Sequence, residues 1–229
     1  MNQDDLFNAY YTQYRVEADI PNSEDDEYKV FTGLANEAVN RWANYDATFW
    51  KELYQTAQVS GDGDLELVAG QNEYACPEDM RKAGGKIRVY NASGATQMRI
   101  PIIEPQDVQF QGDMTKYAFF TGDPNNGFTL TINGDITPEM NGLLINYVYY
   151  KKPDLFTIGG TNDIPQMSQP YFIVHRALAN RFRGSRNPYY QSAKNDAEDV
   201  LKTMKMENDS GTWADPWKLA DNSTGRFGW

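Results

Sequence analysis

Residues 61 to 68 read Gly61-Asp62-Gly63-Asp64-Leu65-Glu66-Leu67-Val68, and the fold turns on this stretch. Before it, apolar residues recur every three or four positions. After it they come in short β-type runs broken by turn residues. The runs are Leu65 to Val68, Lys86 to Tyr90, Gln97 to Ile103, Tyr117 to Thr121, Phe128 to Ile132 and Leu143 to Lys151. Ala83-Gly84-Gly85, Ala92-Ser93-Gly94, Asp123-Pro124-Asn125-Asn126-Gly127 and Asn133-Gly134-Asp135 punctuate them. Connections this short favour antiparallel neighbours over crossover helices, which argues for a small sandwich or barrel and against a doubly wound nucleotide fold.

Upstream, Leu6, Phe7, Tyr10, Tyr11 and Tyr14 have helical spacing and predict a short helix that ends before Pro21. Ser23 with Asp26 forms a capping-box pattern. Val30, Leu34, Ala38, Trp42, Tyr45, Phe49 and Leu53 continue as one stripe, predicting a long helix over about 24 to 58. Downstream, Tyr171, Val174, Leu178 and Phe182 give an apolar helix face up to Gly184. Asn187 is placed to cap the next helix with Pro188 at its first position, and Tyr190, Ala193, Ala197, Val200, Leu201 and Met204 carry its stripe until about Asn208. The expected class is therefore α+β. N-terminal helices (1–59) and C-terminal helices (161–208) form an antiparallel bundle, an antiparallel β-sandwich or barrel (60–160) is inserted between them, and an extended tail (209–229) follows.

The 229 residues carry a net charge of −11, spread as −7 over 1–60, −5 over 61–160 and +1 over 161–229. So acidic a chain repels phosphate, which argues against gripping DNA or RNA by the backbone and against an anionic membrane surface. No apolar run reaches the length of a spanning helix, and the start lacks the pattern of a signal peptide. The chain reads as soluble and unexported. A single cysteine, Cys76, allows neither an intramolecular disulfide nor a cysteine-rich zinc site.

Enzymatic chemistry has no positive support in the sequence. His175 is the only histidine and no nucleophile elbow accompanies it, so no triad is assigned. Thirty-two acids always offer carboxylate pairs, which makes such pairs uninformative. Asp62, Asp64 and Glu66 resemble the start of a calcium loop, but the glycine and closing glutamate of that motif are misplaced, and a solvated turn is the reading. No phosphate-binding glycine loop and no metal spacing is present, so no catalytic residue, metal or cofactor is expected.

Two features point instead to surfaces. Arg176, Arg181, Arg183 and Arg186 cluster within eleven residues of an acidic protein. Glu24, Asp25, Asp26 and Glu27, at the start of the long helix, are their natural partners in the same chain or in a neighbouring copy, and an inter-subunit contact is the expectation. Trp213, Trp217, Phe227 and Trp229 sit in a polar tail, where large aromatics are costly unless they dock on a partner. Tyr147, Tyr149 and Tyr150 suit alternating core and surface positions. The alternative they leave open is a carbohydrate- or receptor-binding module using a Tyr-rich sheet.

The order of segments resembles the head-to-tail adaptor proteins of tailed bacteriophages, ring-forming neck proteins bound beneath the portal. The residues that carry the resemblance start with Leu34-Ala-Asn-Glu-Ala-Val-Asn40, Trp42 and Trp50 in the long helix, then Asn72-Glu-Tyr-Ala-Cys-Pro-Glu-Asp79 entering the β region. Ile145-Asn-Tyr-Val-Tyr-Tyr-Lys-Lys-Pro153 leaving it, Ile164-Pro165 and the helix from Tyr171 to Arg183 complete the match, which covers about 25 to 207. The resemblance implies a non-enzymatic virion protein, made in the host cytoplasm and placed in the neck between capsid and tail. It further implies a ring of twelve copies that contacts the portal protein above and a downstream tail or nozzle protein below. The tail aromatics would then anchor to the portal, and DNA would pass through the ring without specific binding.

Overall fold

The computed structural model describes residues 1–14, 19–57, 65–110, 116–183 and 187–210. The chain is mixed α+β and divides into two units. Among the described residues, those up to Glu52 together with 153–210 build a helical unit, and those within Leu53–Lys152 build a unit of strands.

Among the described residues, the helical unit holds α1 (Gln3–Tyr14), α2 (Asp26–Ala43), α3 (Tyr171–Phe182) and α4 (Tyr189–Ser210). Asn2 and Asp5 open α1 with a reciprocal cap, each side chain accepting the backbone N–H of the other at 3.0 and 2.9 Å. Leu6, Phe7, Tyr10 and Tyr11 form its buried face. Phe7 stands 4.5 Å from Tyr28 and 5.5 Å from Phe31, ring centre to ring centre, so α1 is fastened to α2 by aromatic packing. Helix α3 packs on α1, α2 and α4; Val174, Leu178 and Phe182 are buried as the spacing predicts, whereas Tyr171 is exposed and Phe172 is buried in its place. Asn187 caps α4 as the sequence indicates, accepting the N–H of Tyr189 at 2.9 Å.

Two expectations about helix ends are corrected. The Ser23–Asp26 box does not form. Asn22 and Asp25 organise that turn instead, the Asn22 N–H donating to Asp25 Oδ2 at 2.8 Å. Helix α2 stops at Ala43 rather than near 58. Asn44, Asp46 and Thr48 are weak helix formers, and Asp46 and Ala47 take positive φ values of 47° and 52° that reverse the chain. Past the break Trp50 folds back on the helix: its indole N–H donates to the Trp42 carbonyl at 2.8 Å, with the rings 5.3 Å apart. At the other end α4 runs to Ser210, where the buried Asn208 accepts the Lys51 N–H at 3.0 Å and donates to the Phe49 carbonyl at 3.0 Å.

In the strand unit, one sheet is ordered β1 (Tyr54–Ala57), β7 (Leu144–Lys151), β3 (Met80–Tyr90), β4 (Thr96–Ile100). The other is ordered β2 (Glu73–Ala75), β6 (Gly127–Asn133), β5 (Tyr117–Asp123). Every strand pairing within them is antiparallel. Each sheet has two edges, so the barrel alternative is excluded. Ile87, Val89, Ile100 and Ile145 of the first sheet share one core with Tyr74, Ala118, Leu130 and Ile132 of the second.

The Gly84-Gly85 pair, read as a turn, is a bulge inside a single eleven-residue strand. The register of β3 on β7 shifts between Gly84 and Arg88, and Gly85 takes φ 76°. Leu65 to Val68 contributes only an isolated bridge from Glu66 to Leu144 in place of a strand. Strand β4 stops at Ile100 because Pro101 has no N–H to donate.

Candidate functional site

Helix α3 carries the basic cluster, and its geometry sorts the arginines onto different faces. Positions 176, 180 and 183 recur at about one and two helical turns and point one way, while position 181 lies on a separate face. Arg181 turns toward α2, its Nη2 standing 3.1 and 3.3 Å from the two carboxylate oxygens of Glu27. Its guanidinium also covers the Tyr14 ring at 5.1 Å. Contact with the Tyr14 hydroxyl, then the nearby Tyr10 and Glu27, holds its pKa above the usual arginine value. This pair closes within one chain.

On the second face, Arg176, Ala179, Asn180 and Arg183 of the α3 region, Arg41 of α2, and Tyr190, Lys194 and Glu198 of α4 line a cleft of about 300 Å³. Arg41 reaches Glu198 at 3.7 Å. Arg176, Arg183 and Lys194 have no carboxylate within ion-pair distance among the described residues. The Nε of Arg176 and the Nδ2 of Asn180 are buried donors with no acceptor. Four cations face one carboxylate here, and two N–H groups have been taken from water without a partner. Such an arrangement is suited to holding an oxyanion.

A third face closes a second cavity of about 360 Å³, lined by Gln13, His175, Leu178, Phe182, Tyr189, Ser192, Ala193 and Asp196. It brings a serine, a histidine and an aspartate round one space. The Ser192 hydroxyl, however, donates to Asp196 at 3.4 Å along its own helix, and no hydrogen bond joins Ser192 to His175. The proton relay that would activate a serine is not assembled.

Of the remaining acids expected at a contact, Glu24, Asp25 and Asp26 are exposed at the start of α2. Asp26 approaches Lys29 at 3.4 Å, and Glu24 and Asp25 have no cationic partner among the described residues. Arg186, Trp213, Trp217, Phe227 and Trp229 lie outside the described residues. The Tyr-rich sheet offers no exposed platform: Tyr147, Tyr149 and Tyr150 are 1%, 7% and 6% exposed. Tyr149 donates to Asp79 at 2.9 Å, and Tyr150 meets Tyr54 edge-on at 6.1 Å. Among the described residues, no three His, Cys, Asp or Glu side chains gather as metal ligands, and no helix is long and apolar enough to cross a membrane.

Sequence reading missed Arg41, Asn180, Lys194 and Glu198 as members of the cleft. Lys194 and Glu198 stand one helical turn apart on α4, a visible pairing signal. Arg41 is 135 positions or more from every other member, and only the packed helices bring it there. No protein-family model matches the chain, and no curated protein matches it.

Proposed function

We propose that this protein is a structural head-to-tail adaptor of a tailed phage virion. Twelve copies form a ring below the portal that extends the DNA channel and gives the tail its attachment surface. One observation carries this reading: a strand unit, Leu53–Lys152, interrupts a helical unit built from the segments before and after it, which is the segment order on which the family resemblance rests. In this reading the helices act as an antiparallel bundle and the two sheets as a sandwich.

The electrostatics support the same role. A net charge of −11 keeps phosphates off the surface, which suits a conduit that DNA traverses without being held. A closed heterologous ring needs two different complementary patches on each subunit. The exposed acids at the start of α2 and the basic cleft between α2, α3 and α4 are such a pair. Trp213, Trp217, Phe227 and Trp229 serve as the portal anchor, and the chain does no chemistry of its own. Electron microscopy of the protein mixed with its portal should show closed rings attached to the portal. Removal of 209–229 should abolish that attachment while leaving the far-ultraviolet circular dichroism unchanged. Solitary particles in the presence of portal would overturn the reading.

A further inference from the structure

We propose that the cleft between α2, α3 and α4 is an oxyanion site whose occupant is a carboxylate from the Glu24–Asp26 segment of a second copy of this chain. The inference rests on the adaptor reading only in the number of copies that meet. The site itself is argued from its side chains.

The cleft is built from the inside. Two of its lining residues, Arg176 and Asn180, each carry a buried side-chain donor, Nε and Nδ2, without an acceptor. Each such donor costs the desolvation of a polar group unless an acceptor returns it. Its lining also includes Arg41, Arg183 and Lys194, of which Arg41 alone has a carboxylate within ion-pair distance, Glu198 at 3.7 Å. The missing component is an acceptor carrying negative charge and small enough to enter about 300 Å³.

The chain's own acids do not supply it. Glu27 is held by Arg181 on another face of α3. Asp26 stands fifteen residues from Arg41 on the same helix, about 22 Å along its axis, well beyond side-chain reach of that end of the cleft. Glu24 and Asp25 are exposed and have no cationic partner among the described residues. Each copy therefore displays an unfilled basic cleft and an unspent acidic corner at different places on the helical unit. Their mutual satisfaction between copies is a heterologous contact, the type that propagates a ring. A nucleic-acid phosphate has the right local chemistry, but the long-range field of a chain at −11 opposes it.

The test uses the full chain and a labelled peptide of residues 19–28, with fluorescence anisotropy as the readout. Binding should saturate, weaken from low to high salt, and fall by roughly tenfold or more in the Arg176→Glu/Arg183→Glu variant. A peptide with Glu24, Asp25 and Asp26 all changed to Lys should fail to bind. Arg183→Lys should keep most of the affinity. If the double variant loses its thermal transition, Arg183→Glu/Lys194→Glu, both in the lining, replaces it. Equal affinity for the wild type and the charge-reversed variants would overturn the proposal, as would no binding at all. Tighter binding of a short DNA duplex that displaces the peptide would overturn it in favour of a phosphate. Rings formed on the portal by a chain that ignores the peptide would sink the cleft and leave the adaptor reading standing. Peptide capture by a chain that never closes a ring would do the reverse.

Discussion

The side-chain amide of Asn36 clasps the backbone of Phe156 from both sides. Its Nδ2 donates to the Phe156 carbonyl at 3.0 Å while its Oδ1 accepts the Phe156 N–H at 2.8 Å. One residue of α2 thus completes the hydrogen bonding of a segment 120 positions away, where the chain re-enters the helical unit. Replacing Asn36 by Leu removes both bonds and leaves two backbone groups unpaired, at a cost of about 2–4 kcal/mol. Asn36→Asp keeps the acceptor, loses the donor and should cost less. Urea unfolding of the two variants beside the wild type measures the difference.

The Trp50 indole is buried against Trp42 and donates to its carbonyl. Trp50→Ala deletes the ring contact, opens a cavity and orphans that carbonyl, which should lower stability by about 3–5 kcal/mol. Trp50→Phe retains the packing and should lose much less. Thermal melts followed by near-ultraviolet circular dichroism distinguish the two variants.

The hairpin joining β5 and β6 separates steric from conformational effects at two glycines. A Cβ on Gly122 would stand 2.2 Å from the Gly127 carbonyl oxygen, backbone that cannot step aside, and Gly122 also has φ 107°. A Cβ on Gly127, at φ 91°, meets nothing within 4 Å. Gly127→Ala should therefore cost about 1 kcal/mol from its φ alone, and Gly122→Ala distinctly more. Amide exchange across β5 and β6 should rise sharply only in the second variant.

Two tyrosines predict an alkaline limit to stability. Burial, followed by the charges of Asp4 and Asp163, raises the Tyr28 pKa from its ordinary 10.0 to about 12. Burial and the hydrogen bond to Asp79 do the same for Tyr149, also to about 12. Both pKa values are higher in the folded state, so the neutral form favours folding. That contribution is complete below pH 10 and is lost as pH rises toward 12. Denaturant midpoints should fall through this window, and the slope should flatten in a Tyr28→Phe/Tyr149→Phe variant.

Arg181 and Arg183, two residues apart, should answer differently to charge reversal. Arg181→Glu sets two carboxylates together at Glu27 and should lower stability by about 1–2 kcal/mol, a loss relieved by adding Glu27→Arg. Arg183→Glu should leave the melting temperature within error and weaken association with other copies. Light scattering and calorimetry on the same samples provide the comparison.

The sequence was most legible where one local rule acted alone. The spacing of Leu6, Phe7, Tyr10 and Tyr11 marked α1, and Asn187 announced the start of α4. Asp123-Pro-Asn-Asn-Gly127 marked a hairpin, where Asp123 accepts the N–H groups of Asn125 and Asn126 at 2.8 and 3.2 Å. Legibility failed where a tertiary contact imitated or overrode the local signal. Tyr45, Phe49 and Leu53 keep the helical spacing beyond Ala43, which hides the end of α2. Gly84-Gly85 looks like a turn but is absorbed as a bulge by pairing with β7. Strands β1 and β2 are too short to show alternation and exist because β7 and β6 lie beside them. The basic run was visible as composition, yet its division into one paired arginine and a cleft depends on which way each side chain leaves α3.

Strands β1 and β7 have one further consequence. Tyr54 faces Tyr150 across that ladder, so the polypeptide departs for its hundred-residue excursion and comes home at almost the same point. Neighbouring strands are about 4.8 Å apart, a gap that two or three small residues can span. The sheets can therefore be grafted out and replaced by a short bridge, or exchanged for a foreign domain whose termini are equally close. In evolutionary terms, such an attachment lets one unit diversify while the other keeps its contacts unchanged.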